Sequence, residues 1–131
     1  KMEGKLECSV GDEDLDRDHM SILNALDRVK KAQKNNLEDD FIGILLTQLV
    51  EYVDGHFAKE EEYMAKIGFP GLAEHHDRHV EMKAELIRQR GEFLKDGKAN
   101  FDELTPFLND WWEKHILEAD MDYKLYAESN L

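Results

Sequence analysis

The sequence predicts an all-α protein, an up-down-up-down antiparallel four-helix bundle. Apolar residues recur at steps of three and four in four long stretches, and no strand-like alternation of comparable length competes with them. Only two prolines occur in 131 residues, so few positions would interrupt a helix. The connections between the four stretches are short, and short connections favour antiparallel neighbours.

The first predicted helix runs from about Asp14 to Lys34. Asp14 or Asp16 is expected to cap its start, because a short carboxylate side chain can accept a hydrogen bond from a backbone N–H of the first turn. One side of this helix is apolar except for a single histidine, and it carries Leu15, His19, Ile22, Leu26 and Val29.

The second predicted helix follows Asn35-Asn36, continues to about Lys66 and is ended by Gly68. Its steps of three and four place a histidine and a glutamate within an otherwise apolar face. The face is formed by Ile42, Leu45, Leu49, Val53, His56, Glu60 and Met64.

The third helix is expected to begin near Pro70, where a missing N–H costs little, and a loop is expected from Lys95 to Asn100. Pro106 is expected in the first turn of the fourth helix for the same reason. The inward faces are Leu72, His75, His79, Met82, Leu86 and Phe93 in the third helix, and Leu104, Leu108, Trp111, Trp112 and His115 in the fourth.

Length and charge restrict the classes of protein. A chain of 131 residues predicts one domain, with an arm at about 1–13, a bundle at about 14–117 and a tail at about 118–131. A net charge of −13 disfavours nucleic acid and anionic membranes as partners. No apolar run is long enough to span a bilayer, and the only cysteine, Cys8, is compatible with a reducing compartment, so a cytoplasmic location is expected.

Histidines and carboxylates recur at helical spacing on the faces that should point inward. Residues four apart on a helix differ by about 40° in projection, so His56 with Glu60, and His75 with His79, can each reach one metal ion. His19 and His115 lie on the inward faces of the first and fourth helices. His76 points about 100° away from His75 and is expected at the surface.

These inward-facing residues predict a buried metal site. Imidazole and carboxylate ligands suit iron, zinc or manganese. With Asp120 the set exceeds the coordination number of one ion, so two ions bridged by carboxylates, with an added oxide or hydroxide, are expected. The chain contains no Glu-x-x-His, the motif of ferritin-like di-iron sites.

At this point the sequence resembles the hemerythrin family, and more closely its bacterial hemerythrin-like domains (bacteriohemerythrins). The similarity extends in order from about Gly11 to Tyr126. It is carried by Leu15-Asp16-Arg17-Asp18-His19, His56-Phe57-Ala58-Lys59-Glu60-Glu61-Glu62-Tyr63-Met64, Phe69-Pro70-Gly71-Leu72-Ala73-Glu74-His75 with His79, and Trp111-Trp112-Glu113-Lys114-His115-Ile116 followed by Asp120 and Tyr123.

The resemblance implies a non-haem di-iron centre, oxo- or hydroxo-bridged, that binds dioxygen reversibly and takes azide as an analogue. One iron would be held by three histidines and the other by two, which leaves the second iron one ligand short for dioxygen. The implied ligands are His75, His79 and His115 for the first iron, His19 and His56 for the second, and Glu60 and Asp120 as bridges.

Two details of the site go beyond helical spacing. Asp120 lies five residues after His115, about 140° away on an ideal helix, whereas Glu118 lies closer to the histidine's face. The resemblance favours Asp120 as the ligand.

The expected lining of the oxygen pocket is Ile22, Phe57, Trp112 and Ile116.

Three departures from the family pattern leave these ligands intact. Trp112 stands where leucine is usual and is expected to narrow the pocket. Asp12 and Asp18 replace an apolar residue and a glutamine, and Cys8 stands roughly where a tryptophan is common.

The function predicted is dioxygen binding without turnover, either for transport and storage or as the sensing domain of a larger signalling protein. An enzyme is not expected, because a di-iron peroxidase or oxidase needs an acid-base group beside the open iron and the apolar faces offer no clear candidate. An iron-storage protein or a closed structural metal site is the other alternative.

Overall fold

The computed structural model describes residues 12–97, 101–113 and 121–130, and within these ranges it contains five α-helices and no strand. The predicted all-α class is therefore confirmed. The helices are α1 (Glu13–Lys34), α2 (Asp39–Lys66), α3 (Leu72–Asp96), α4 (Phe101–Glu113) and α5 (Met121–Asn130).

The start of α1 is capped by Asp12, so the prediction of Asp14 or Asp16 was wrong. Asp12 has an extended backbone (φ −113°, ψ 125°), and its carboxylate accepts a hydrogen bond from the Leu15 N–H at 3.1 Å. A capping side chain must precede the first helical residue to reach the N–H groups ahead of it. Asp14 and Asp16 lie inside the first turn, where their charges face the positive end of the helix dipole.

The turns after α1 and α2 both need a residue in the left-handed region of the backbone. Asn36 (φ 53°) follows α1 and Gly68 (φ 71°) follows α2. Asparagine and glycine are the residues that adopt this conformation most readily. The chain therefore reverses after α1 and again after α2, and α2 packs against both α1 and α3.

Two apolar clusters lie on either side of the inward-facing histidines. Along α1, Leu15 belongs to the smaller cluster, His19 follows, and Ile22 belongs to the larger cluster. The smaller cluster is built on Leu15, Met64 and Tyr123. The larger one includes Ile22, Leu26, Val29, Ile42, Leu46, Leu49, Val53, Phe57, Leu86, Phe93, Leu104, Leu108, Trp111 and Trp112. The histidines thus occupy a polar layer between two dry regions.

Residues 121–130, which the sequence analysis assigned to a C-terminal tail, form the helix α5. Tyr123 is completely buried and Ala127 is 6% exposed, and their four-residue spacing places them on one side of the helix. Most of the stability of so short a helix comes from packing rather than from propensity, which is why the local pattern did not reveal it.

Pro106 also lies elsewhere than predicted. Because α4 begins at Phe101, Pro106 falls in its second turn, where the ring removes one backbone hydrogen bond. The neighbouring Leu104 and Leu108 are completely buried in the larger cluster. Burial of this face offsets the lost hydrogen bond. Among the described residues, no helix is both long and apolar enough to cross a bilayer.

Candidate metal centre

Three helices bring four histidines and one glutamate into a single buried layer. The exposed fraction of each residue is 2% or less. α1 provides His19, α2 provides His56 and Glu60, and α3 provides His75 and His79. Each lies on the apolar stripe of its own helix, so packing of the helices turns all five inward.

The five residues form two groups that share Glu60. The first triad is His19, His56 and Glu60, and the second triad is Glu60, His75 and His79. Within each triad, one nitrogen or oxygen atom of every residue lies within 4.8 Å of the others. Each triad therefore has its donor atoms close enough together to hold one metal ion.

The two oxygens of the Glu60 carboxylate face different triads. Oε2 lies 3.3 Å from His19 Nε2 and 3.2 Å from His56 Nε2. Oε1 lies 3.1 Å from His79 Nε2. A carboxylate with one oxygen directed to each group has the arrangement of a bridging ligand.

Tyr123 holds this carboxylate from α5. Its hydroxyl donates a hydrogen bond of 2.7 Å to Oε2 of Glu60, and both side chains are completely buried. The Tyr123 ring also lies against His75, with centroids 5.7 Å apart. The fifth helix therefore positions a group at the centre of the site.

The far side of the His56 ring is held by Asp18. His56 Nδ1 lies 3.3 Å from Asp18 Oδ2, and the same carboxylate accepts a hydrogen bond from Lys59 at 3.3 Å. The hydrogen bond from His56 outweighs partial burial and lowers the pKa of Asp18. An ionised Asp18 only accepts, so it favours the His56 tautomer with the proton on Nδ1 and leaves the lone pair of Nε2, on the side of Glu60, to bind a metal ion.

Glu61 does the same for His79. Its Oε2 lies 2.9 Å from His79 Nδ1, and its Oε1 lies 2.6 Å from Nδ1 of His76. Partial burial by itself would raise the pKa of Glu61. The hydrogen bonds from His79 and His76 lower the pKa by more than burial raises it, so the pKa lies below its usual value. His76 is exposed at the surface, as predicted, and serves here as a second partner of Glu61.

Aromatic rings border the two triads differently. Trp112 meets His19 edge-on, with centroids 5.6 Å apart, beside the first triad. Phe57 stacks on His79, with centroids 3.8 Å apart and planes 2° from parallel, in the second triad. Ile22 is completely buried in the larger cluster. Of the four residues expected to line a pocket, Trp112 and Phe57 thus contact histidines of the layer, and Ile22 is buried one helical turn from His19.

The donor set is suited to a divalent first-row metal. Four imidazoles and a carboxylate have no thiolate among them, and burial of so many polar groups is costly unless they bind something. Iron, zinc and manganese all accept such ligands. The residues present therefore fit a metal centre of the predicted kind.

The structure brings together five of the seven predicted ligands. His115, Asp120 and the pocket residue Ile116 lie outside the described residues, as does Glu118. Sequence reasoning missed the supporting roles of Asp18, Glu61 and Tyr123. The signals available were the carboxylate directly before His19, the second carboxylate of the Glu60-Glu61 pair, and the place of Tyr123 in the motif.

Fold and site together define a class, a helical protein with a buried, histidine-rich site that could hold metal ions. The chain belongs to the hemerythrin family, because residues 10–127 match the Hemerythrin HHE cation binding domain.

Individual relatives extend over most of the chain. A bacteriohemerythrin of Clostridium acetobutylicum is 30% identical over 125 residues, which cover 91% of this chain and 95% of the relative. A myohemerythrin of Riftia pachyptila is 31% identical and is covered to 84%, over 88% of this chain. A bacteriohemerythrin of Methylococcus capsulatus is 32% identical and is covered to 82%, over 86% of this chain. No solved structure matches the chain significantly.

Proposed function

We propose that this domain binds dioxygen reversibly at a non-haem di-iron centre. The observation that carries the proposal is the Glu60 carboxylate, whose two oxygens face two separate groups of buried histidines. A site for a single metal ion would not require the two oxygens of Glu60 to face different groups of histidines. Membership of the hemerythrin family supports iron and dioxygen as the metal and the ligand.

In this proposal the two irons have different ligands. His19 and His56 would hold one iron, and His75 and His79 would hold the other together with His115. Glu60 and Asp120 would be the carboxylates shared by the two irons. When bound, the iron pair supplies the electrons for reversible dioxygen binding.

The chain's own residues keep this site closed to water. The two apolar clusters lie above and below the histidine layer, and every described ligand is 2% exposed or less. Burial strengthens the electrostatic attraction between the Glu60 carboxylate and bound metal, and it restricts the escape of oxidised ligand or metal from the site. Ile22 and Trp112 border the first triad, where we place the open coordination position; Phe57 and Ile116 complete the proposed lining.

The proposal also includes the overall architecture of the domain. α1 to α4 would form the antiparallel up-down-up-down bundle of a single domain covering residues 1–131, with α5 as an addition that delivers Tyr123. The domain would act without turnover, as a carrier or store of oxygen or as the sensing domain of a longer protein.

The optical spectrum of the reduced, iron-loaded protein tests the proposal. We expect a ligand-to-iron charge-transfer band to appear on exposure to air and to vanish on removal of oxygen, with two irons per chain by elemental analysis. A colourless protein containing a single zinc would overturn the proposal. Steady consumption of oxygen would instead indicate the enzyme alternative.

Trp112 provides a sharper test of where the ligand enters. Replacing Trp112 with leucine removes the ring beside His19, and we expect azide to bind roughly tenfold faster, which corresponds to a barrier about 1.4 kcal/mol lower. Trp111→Leu is the control for loss of an indole of the same size: it removes a ring that contacts Phe57 and a hydrogen bond to the Met82 carbonyl, while the ring beside His19 stays in place. Equal stopped-flow rates for Trp112→Leu and the native chain would contradict a narrowing role.

A further inference from the structure

One carboxylate of α2 joins two histidines of α3. Oε1 of Glu61 lies 2.6 Å from Nδ1 of His76, and Oε2 of Glu61 lies 2.9 Å from Nδ1 of His79. Because an ionised carboxylate only accepts, each ring donates from its Nδ1. His79 is buried, whereas the side chain of His76 is 54% exposed. Glu61 therefore connects a histidine of the second triad to a histidine at the protein surface.

The orientation of the Glu61 carboxylate needs support, because the core does not enclose it. Its side chain is 25% exposed, so water can compete with His79 for its oxygens. A glutamate side chain also loses much rotational freedom when it is held in one orientation. The contact with His76 is the shorter of its two histidine contacts, and hydrogen bonds to an ionised acceptor are stronger than neutral ones. With Oε1 held by His76, Oε2 stays directed at His79.

The first triad has a supporting carboxylate of the same kind. Asp18 of α1 lies 3.3 Å from His56 and accepts a hydrogen bond from Lys59 at 3.3 Å. In both triads the carboxylate comes from a neighbouring helix, and its second partner lies three residues from the triad histidine on that histidine's own helix. Residues three apart are neighbours on a helix surface, so one carboxylate can reach both. His76 thus has the place in the second triad that Lys59 has in the first.

The contact between His76 and Glu61 also belongs to a row of polar contacts between α2 and α3. Two further contacts of this row join Lys83 to Asp54 at 2.7 Å and Arg90 to Thr47 at 2.9 Å. The pairs are spaced seven residues apart on each helix, in opposite directions, as expected for two antiparallel helices in one register. In the described ranges, Glu61 is the member of this row that also accepts a hydrogen bond from a triad histidine.

We propose that His76 is a positioning residue of the second triad, which holds the Glu61 carboxylate in the orientation that fixes the His79 ring. This role rests on the proposed function, since it concerns His79 as a metal ligand. A fixed Glu61 favours the His79 tautomer with the proton on Nδ1 and leaves the lone pair of Nε2, on the side of Glu60, to bind a metal ion. In this role His76 acts through Glu61 and is not itself a ligand.

Binding of Co²⁺ to the full chain, measured by competition with a chelator, tests this role. We expect two dissociation constants for the native chain, of which Glu61→Gln identifies the one that belongs to the second triad. His76→Ala should raise that constant about tenfold, the lower end of the range typical of groups that support a ligand. His76→Asn should recover most of the affinity, because its amide places an N–H near the position of the imidazole Nδ1. Equal affinities of His76→Ala and the native chain would overturn the proposal.

Lys83→Ala is the matched control, because it removes a contact of similar length from the same row. Its effect on unfolding of the metal-free protein in urea should resemble that of His76→Ala, but both Co²⁺ affinities should remain native. If Lys83→Ala weakened Co²⁺ binding as much as His76→Ala does, His76 would be a general contact between helices and not a positioning residue.

A double variant tests whether His76 acts through Glu61. Adding His76→Ala to Glu61→Gln should raise the dissociation constant of the second triad no further, because the carboxylate that His76 holds is already gone. Additive effects of the two substitutions would overturn the proposal.

These outcomes are separable from those of the proposed function. Binding of Co²⁺ requires the ligands but neither iron nor dioxygen, so absence of reversible dioxygen binding would not alter it. A native chain that binds fewer than two Co²⁺ ions would overturn the two-metal centre and the role of His76 with it. Binding of two ions with no effect of His76→Ala would overturn the role of His76 alone.

Discussion

The two triads share one carboxylate but differ in how firmly their histidines are held. In the second triad, His79 is fixed at its ring edge by Glu61 at 2.9 Å and on its ring face by the stacked Phe57. In the first triad, His56 has a longer contact to Asp18 at 3.3 Å, and His19 meets the Trp112 ring edge-on, with centroids 5.6 Å apart. In the proposed centre, the second triad would suit an iron whose ligands do not change, and the first triad would suit an iron that exchanges a ligand.

The largest expected effect comes from removing what the triads share. Glu60→Gln replaces the shared carboxylate with a neutral amide, so each triad loses its anionic donor. We expect iron content to fall well below one ion per chain by elemental analysis. Glu62→Gln on the exposed side of the same helix is the matched control and should leave iron content unchanged. Full iron loading of Glu60→Gln would contradict the shared-ligand arrangement.

Substitution of the supporting carboxylates Asp18 and Glu61 should affect the metal affinity of the two triads separately. Asp18→Asn and Glu61→Gln each remove the anion that orients one histidine, and such changes typically weaken metal affinity by about 10- to 100-fold. We expect Glu61→Gln to have the larger effect because its hydrogen bond to His79 is shorter, and each variant should weaken only its own iron in a chelator competition.

The control for this comparison is Asp14→Asn, which changes an exposed α1 carboxylate paired with Arg17. Its two iron affinities should equal those of the native chain. If Asp18→Asn and Glu61→Gln weakened both irons equally, the difference in support between the triads would have no functional meaning.

The smallest of these effects is expected at Tyr123. Tyr123→Phe removes the hydrogen bond to Glu60 while keeping the ring in its apolar cluster. We expect the free energy of unfolding of the metal-free protein to fall by about 1–2 kcal/mol in urea titrations. Tyr52→Phe, which removes an exposed hydroxyl, should change it little. Equal stabilities of Tyr123→Phe and the native chain would show that the hydrogen bond contributes nothing to the fold.

Helical spacing was sufficient to predict which side chains turn inward. His19, His56, Glu60, His75 and His79 were all assigned to apolar stripes, and all are buried together. The same reasoning failed at Asp12 and α5. A cap depends on the residue at which the helix begins, and α5 depends on packing against distant residues.

The supporting contacts could not be predicted because they join positions far apart in sequence. Asp18 and His56 are separated by 38 residues, and Tyr123 and Glu60 by 63. Such contacts depend on the rotation and relative height of two helices, which no local pattern specifies. A carboxylate beside a ligand has the same sequence signature whether it faces a histidine or solvent.

By itself, then, the sequence determined the helical class, the inward faces of the long helices and the residue types of the metal centre, because a period of 3.6 residues places side chains on faces without reference to the rest of the chain. Only the tertiary structure decided that Glu60 is shared, that Asp18 and Glu61 hold different histidines and that α5 contributes Tyr123. These features depend on distances between helices, which are set by the packing of the whole core.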